Sequence, residues 1–448
     1  MSGRSMIAPT PLSYPPHRRG DQWSPVFHNN LRYIMKKYLS IIILLFFSFA
    51  LSGCGSIYSN YREIEQLLVI RTMGLDYSGR GIELSLASSS AGSGNARTLS
   101  AAGDSISTAM DRIYNYSYEE ELFCSHIGEL LIGEKLAEEG IQSCLNYICR
   151  SPVMRLDTPL YVVRGATARE TIMNAGGTGK GIAEVMDSVE VSAERRGDSS
   201  IFTAADVMRD LDRCGSALIC ALEYGTSSES TDAPASGGGD SGGSSSEGSE
   251  SSSQSSSEES GGQSSSSEGS GDLTAAIAGY AIIRDGKLCR YLDRDQAIAV
   301  GFLKNDTGIS DVTVNDRYGS PVVLEINGGS SSIRPVWAAP GELKGINIHV
   351  DVRASVIETS GSSRLTDAEY TDQLVAAMEA YISGCVSETL SASKELRSDF
   401  LGLAPKVEKT SPENYRLMTR EFADILPELE LQISVSGQIS HTNDMKDS

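Results

Sequence analysis

Between Thr226 and Asp272 the chain consists almost entirely of serine, glycine and acidic residues, with nine acids, no lysine or arginine and no aromatic side chain. Such a segment has no apolar surface to bury, so it cannot offset its ordering entropy and is expected to stay disordered as a solvated spacer. As a Gly/Ser coil its ends would stand roughly 35–40 Å apart. Whatever cores the 448 residues build must therefore form before it and after it. Strand-like runs, Ala217–Tyr224 and Ala276–Arg284, flank the tract on both sides. It therefore reads as a long loop inserted between neighbouring strands as readily as a domain boundary. Length alone gives roughly two to three domains.

Charge excludes one class of partner. The formal net charge is −21, with charged residues at 22% and apolar ones at 40%. Residues 1–53 are basic, with Arg4, Arg18, Arg19, Arg32, Lys36 and Lys37 against the single acid Asp21. The remainder is thus more acidic than the whole. Such a chain repels phosphate backbones and is not drawn to an anionic membrane surface by charge. Nucleic-acid binding is excluded on that ground.

The most specific short motif lies near the N-terminus, where residues 35–54 read MKKYLSIIILLFFSFALSGC. Lys36 and Lys37 form a positive n-region, and Tyr38–Leu51 carries no charge. That stretch is shorter than the ~20 residues a stable transmembrane helix needs and suits the core of a signal peptide. It ends in Leu51-Ser52-Gly53-Cys54, which reads as a bacterial lipobox. The expected chemistry is S-diacylglyceryl attachment at the Cys54 thiol, cleavage between Gly53 and Cys54, and N-acylation of the new terminus. Residues 1–34 lie upstream of this complete signal, which makes Met35 a candidate initiator and gives the extension no folded role.

Periodicity places elements along the rest. Gln66–Met73 is an apolar run, and Ile82, Leu84 and Leu86 alternate after the turn at Tyr77–Arg80, which predicts a hairpin. Ile106, Met110 and Ile113 share one helical face, as do Ile141, Leu145 and Ile148 after Gly140. Leu160–Arg164 reads as a short strand. Thr167 and Glu170 have capping-box spacing, and Thr203 precedes a helix bearing Val207 and Leu211. Beyond the spacer, Ala276–Arg284 and Lys287–Leu292 form a hairpin around Asp285-Gly286. The alternation from Ile346 to Val356 is the sharpest strand signal. A long helix follows, opened by Thr366 and Glu369, with Tyr370, Leu374, Met378, Ile382 and Cys385 on one face. One further helix is expected over Pro412–Ala423, then a last strand through Leu429, Leu431, Ile433 and Val435. This irregular mixture of sheet and helix gives an α+β class.

A search for chemistry yields little. Past the signal only His126, His349 and His441 remain, none in H-E-x-x-H, and His349 falls on the polar side of its strand. Cys124 and His126 could offer two metal ligands, but no second pair has supporting spacing. The eight cysteines contain no C-x-x-C and read as small buried hydrophobes. Asn174–Gly181 imitates a phosphate loop, yet Asn174 stands where the first glycine belongs and Gly181 replaces the Mg²⁺-binding Ser/Thr. No G-x-S-x-G occurs. No catalytic residue, cofactor or metal site is assigned, and no enzyme activity is expected.

Several blocks resemble one known family in order. Tyr61-Arg-Glu-Ile-Glu-Gln-Leu-Leu and Gly74-Leu-Asp76 resemble the mature start of the Ger(x)C spore-germination lipoproteins. His126–Ala137 resembles the family's G-H-x-x-x-L-I-I-G-x-x-L-A block. Ser151–Arg155, Leu160–Gly165 and Ala168 resemble its D-P-x-x-R … V-x-x-G-x-A block. Gly279–Leu292 is similar to its G-x-A-V-F-x-x-D-K-L-V-G-x-L hairpin. The chain departs from the pattern in lacking Trp-Asp after the lipidated cysteine and in its long spacer. The resemblance implies a three-domain α+β C subunit of a nutrient-germinant receptor on the outer face of the spore inner membrane. It also implies two integral membrane partners, the A and B subunits, and no catalytic residue.

The resulting partition is an extension (1–34), a lipoprotein signal (35–53), two α+β domains (54–225), the spacer (226–272), a C-terminal α+β domain (273–440) and a tail (441–448). One rival is a solute-binding lipoprotein of a transporter, which would bind in a cleft between two α/β lobes. Against it stand a single tryptophan past the signal, Trp337, and the lack of a repeated βαβ run. An anchored hydrolase would need a metal or nucleophile that the motifs do not supply.

Overall fold

The computed structural model describes residues 37–39, 41, 43, 67–89, 96–116, 121–176, 181–196, 200–226, 273–359 and 368–440. The 1–34 extension, nearly all of the signal, Cys54, Arg62–Glu65, residues 227–272, Thr366 and the tail lie outside them, as do residues 177–180 of the phosphate-loop imitation. The chain divides into two units, Met1–Ile64 and Glu65–Ser448. Of the first, the five described residues are helical. All that follows concerns the second.

The expected first hairpin is present: β1 (Leu67–Tyr77) pairs antiparallel with β2 (Ile82–Ser88), and β3 (Thr98–Gly103) continues the meander. On its other edge β1 has two parallel partners in succession. Leu67–Val69 pair with β4 (Glu121–Phe123), and Thr72–Leu75 pair with β5 (Glu129–Gly133). β6 (Leu160–Val163) and β7 (Ser216–Thr226) extend the parallel run, and β8 (Leu273–Arg284) and β9 (Lys287–Leu292) close it antiparallel. The path is β3-β2-β1-β5-β6-β7-β8-β9. Every residue of β5 and β6 is buried. Both faces are covered, which is why these strands read as continuous apolar runs instead of alternating ones.

Six helices accompany this sheet: α1 (Ile106–Tyr116), α2 (Glu134–Glu139), α3 (Gln142–Arg150), α4 (Ala168–Gly176), α5 (Ile182–Arg196) and α6 (Ala204–Cys214). The apolar faces expected of α1 and α3 are buried. Thr203 caps α6 through a reciprocal box with Asp206, and Gly215 ends it in the left-handed region. The Thr167–Glu170 box also forms, each side chain accepting the other's backbone N–H at 3.0 Å.

A second, distant residue holds the same helix end. Asp76, at the end of β1 and 4% exposed, accepts the amides of Ala168 and Arg169 at 2.8 Å each. Burial raises its pKa, and the two amides oppose that shift. Gly133 faces this carboxylate so closely that a Cβ there would collide with it, and Gly74 lets Ile172 of α4 lie directly on β1.

The second sheet begins after α7 (Arg294–Lys304), which Asp293 and Gln296 cap. Its strands are β10 (Ser310–Asn315), β11 (Pro321–Ala339), β12 (Glu342–Thr359) and β13 (Glu430–Ser440), in sequential order, with only the β12–β13 pair parallel. The long helix α8 (Ala368–Glu395) buries the five residues expected of it. It packs on β13, where Glu379 accepts the Gly437 amide at 2.7 Å.

The helix expected over Pro412–Ala423 is instead two short ones. After α9 (Leu403–Thr410) come α10 (Pro412–Arg416) and α11 (Phe422–Ile425). The intervening chain turns because Leu417 lies against Gly341 of the β11–β12 turn, and Arg420 forks onto Glu428 at 2.8 and 2.9 Å.

Glu129 sets up a pH dependence. It is 2% exposed, accepts the Thr72 hydroxyl at 3.2 Å and lies 3.9 Å from Arg71, which also pairs with Asp187 of α5. Burial, reinforced by Glu190 and Asp187, pushes its carboxyl up to about 8 against the pull of Arg71 and Thr72. The folded state therefore holds a proton that the unfolded chain releases near pH 4.5, so stability falls as pH rises from about 4.5 to about 8 and levels off above. Glu129→Gln removes this titration. Chemical denaturation at pH 5 and pH 8.5 should show the variant gaining roughly 4 kcal/mol relative to wild type at the higher pH.

The sheet also fixes what the spacer tract joins, since Thr226 and Leu273 are cross-strand partners at the end of the β7–β8 pair. Lengthening a surface loop costs only ~0.6 kcal/mol per doubling. Replacing residues 227–272 with a four-residue turn should leave the melting temperature within a few degrees of wild type. A fall of more than about ten degrees would show that the tract packs on the fold.

Candidate functional site

The lipidation site expected from sequence, Cys54, lies outside the described residues, as does His441. The remaining candidates do not converge. Cys124 is buried with its thiol 3.7 Å from the Tyr114 hydroxyl, whereas His126 is exposed and tilts against Phe123. Burial raises the Cys124 pKa. His349 is 45% exposed and contacts Ser434 at 2.9 Å and Asp351 at 3.3 Å, as its place on the polar strand face suggested. Among the described residues no three His, Cys, Asp or Glu side chains gather as metal ligands. Gly176 ends α4 and Gly181 precedes α5, so the phosphate-loop imitation spans two helix ends.

The polar chemistry concentrates where α6 and α7 meet the segment leading into α9. Asp210 of α6 and Lys304 of α7 pair at 3.1 Å, each about one-fifth exposed. The Lys304 ammonium also sits 5.1 Å over the Phe202 ring. Asp399, 2% exposed, accepts the Leu403 and Ala404 amides at 2.7 and 2.8 Å and so opens α9. Burial pushes its carboxyl up to about 6, while those amides, Lys304 and the Cys214 thiol hold it lower. Lys406 of α9 donates to the Leu303 carbonyl at the end of α7. Burial, aided by Lys304, pushes its ammonium down to about 8 against the pull of Asp399.

Two clefts flank this cluster and share Arg213 and Cys214 in their walls. One, of about 530 Å³, runs past Arg284, Ser398 and Asp399 to Tyr415. The other, of about 380 Å³, is lined by Phe202, Asp210, Lys304 and Lys406. Burial and the neighbouring Asp399 and Asp210 push the Cys214 thiol up to about 12, so it stays protonated at neutral pH and is no nucleophile. The arrangement suits holding elements together and binding charge. Its members come from three separated segments with no common spacing, so nothing in the sequence marked them. The nearest signal was the Thr203 cap, which starts the helix that carries Asp210.

Comparison with known proteins places the chain. Residues 60–224 match the family model described as the spore germination protein N-terminal domain, and residues 278–443 match the one described as spore germination B3/GerAC like, C-terminal. The interval between the matches contains the Ser/Gly tract. A solved structure described as the crystal structure of the GerBC protein is similar at 14% identity and a TM-score of 0.48, covering 82% of this chain and 96% of that one. No curated protein matches. The two family models together span most of the chain in the order that its sequence blocks follow, and the chain belongs to the Ger(x)C family, the C subunits of spore germinant receptors.

Proposed function

We propose that this protein is the lipid-anchored, non-enzymatic C subunit of a germinant receptor. It acts with integral membrane A and B subunits at the outer face of the spore inner membrane in nutrient-triggered germination. The observation that carries the reading is the spacing of Cys54. The lipobox ends six residues before the N-terminal family match begins, so an acylated Cys54 would stand just ahead of the matched region. No helix among the described residues is long and apolar enough to cross a membrane. In the polar cluster between α6, α7 and α9, Lys304 pairs with Asp210 and Asp399 caps α9, contacts that tie elements together and support an assembly role.

One acyl chain gives only marginal membrane binding, whereas two or three anchor stably. Cys54→Ala should abolish incorporation of a radioactive fatty acid, leave the signal uncleaved and slow the loss of spore refractility after nutrient addition, with sporulation itself normal. Equal labelling in the variant would refute the lipid site. Lost labelling with normal germination would show that subunit contacts alone retain the protein. The partner assignment has its own readout: A and B subunits should co-purify from detergent-solubilised spore membranes with a tagged wild-type chain.

A further inference from the structure

The smaller of the two clefts has more cationic groups than carboxylates to neutralise them. Four basic side chains line it: Arg209, Arg213, Lys304 and Lys406. Of its three acids, Asp206 is committed to the Thr203 cap and to Arg209 at 2.9 Å, and Asp210 is shared between Lys304 at 3.1 Å and Arg209 at 3.5 Å. Asp306 is exposed and makes no ion pair among the described residues. Neither Lys406 nor Arg213 has a carboxylate within ion-pair distance among the described residues. An ammonium carries three donors, and the Leu303 carbonyl takes one from Lys406. Burial and the neighbouring Lys304 oppose that half-buried charge, and the buried Asp399, already engaged by the Leu403 and Ala404 amides, offsets them only in part.

We propose that this cleft is a binding site for a small oxyanion, a carboxylate or a phosphate group, held by Lys406 from α9 and Arg213 from α6. The cavity of about 380 Å³ admits a small polar molecule. A guanidinium offers the fork that either oxyanion accepts, and an ammonium in the same cleft wall supplies a point charge. Bound there, the anion would bridge α6, which packs on the first sheet, to α9, which carries the approach to the second. Ligand occupancy would thereby tighten the contact between the two halves of the fold.

The test uses the full-length protein in detergent, with inorganic phosphate and acetate as separate probes, each compared with chloride at matched ionic strength. At least one probe should bind saturably by calorimetry, and Arg213→Gln should weaken it at least tenfold. Lys406→Met should do the same, and if that variant fails to fold the arginine variant still decides. Binding near pH 8 should also take up protons, because the anion draws Lys406 back to its charged form, so the apparent enthalpy must vary with the buffer's ionisation enthalpy. Tight phosphate with weak acetate identifies a phosphate group as the ligand, and the reverse identifies a carboxylate. Equal effects of chloride, or saturable binding untouched by Arg213→Gln, overturns the proposal.

Discussion

A single buried carboxylate ties the first half of this protein together. Asp76 ends β1, the strand that turns an antiparallel meander into a parallel sheet, and it holds the opening amides of α4 across a sequence separation of 92 residues. A buried acceptor of two backbone amides cannot be removed without stranding those amides, at about 1–3 kcal/mol each. Its neighbours are shaped around it. Gly133 at the end of β5 leaves room for the carboxylate, and Gly74 lets α4 press on β1. One turn away, Glu134 accepts the Gly165 amide at 3.1 Å just before α4 begins.

This geometry gives the sequence blocks a physical meaning. Gly74 and Asp76, then Gly133, then Ala168 belong to three separate motifs and meet at one place in the fold. They sit at one packed junction of β1, β5 and α4, so close packing alone calls for small residues and a buried acceptor there. The hairpins, the α1, α3 and α8 faces and the Thr167 and Thr203 caps were equally legible, since each follows from local spacing. The two clefts were not. Asp210, Lys304, Asp399 and Lys406 come together only through packing of elements that lie apart in the chain.

Other elements escaped notice for identifiable reasons. Eight consecutive residues of α7, Gln296–Leu303, are buried, so the helix shows no polar face to set a period. β11 contains Asn327-Gly-Gly-Ser-Ser-Ser332, which reads as a turn, yet the strand runs through it with irregular register near Gly328. The Phe302 ring of α7 lies where a side chain on Gly329 would otherwise stand. The glycine thus serves packing between α7 and the second sheet, and the local propensity it signals is overridden. The break between α10 and α11 is likewise tertiary, since it depends on the β11–β12 turn and on Glu428.

The antiparallel pairing of β7 with β8 has a consequence for the integrity of the molecule. Its ladder runs from Ser216–Arg284 to Thr226–Leu273, with β6 on one side and β9 on the other. A protease that cut the chain anywhere from 227 to 272 would sever the covalent link and leave that ladder whole. The two fragments would part on a denaturing gel and travel as one species in native solution. The protein is in this sense already divided into complementing halves, joined by a strand pair whose hydrogen bonds do not depend on the chain being continuous.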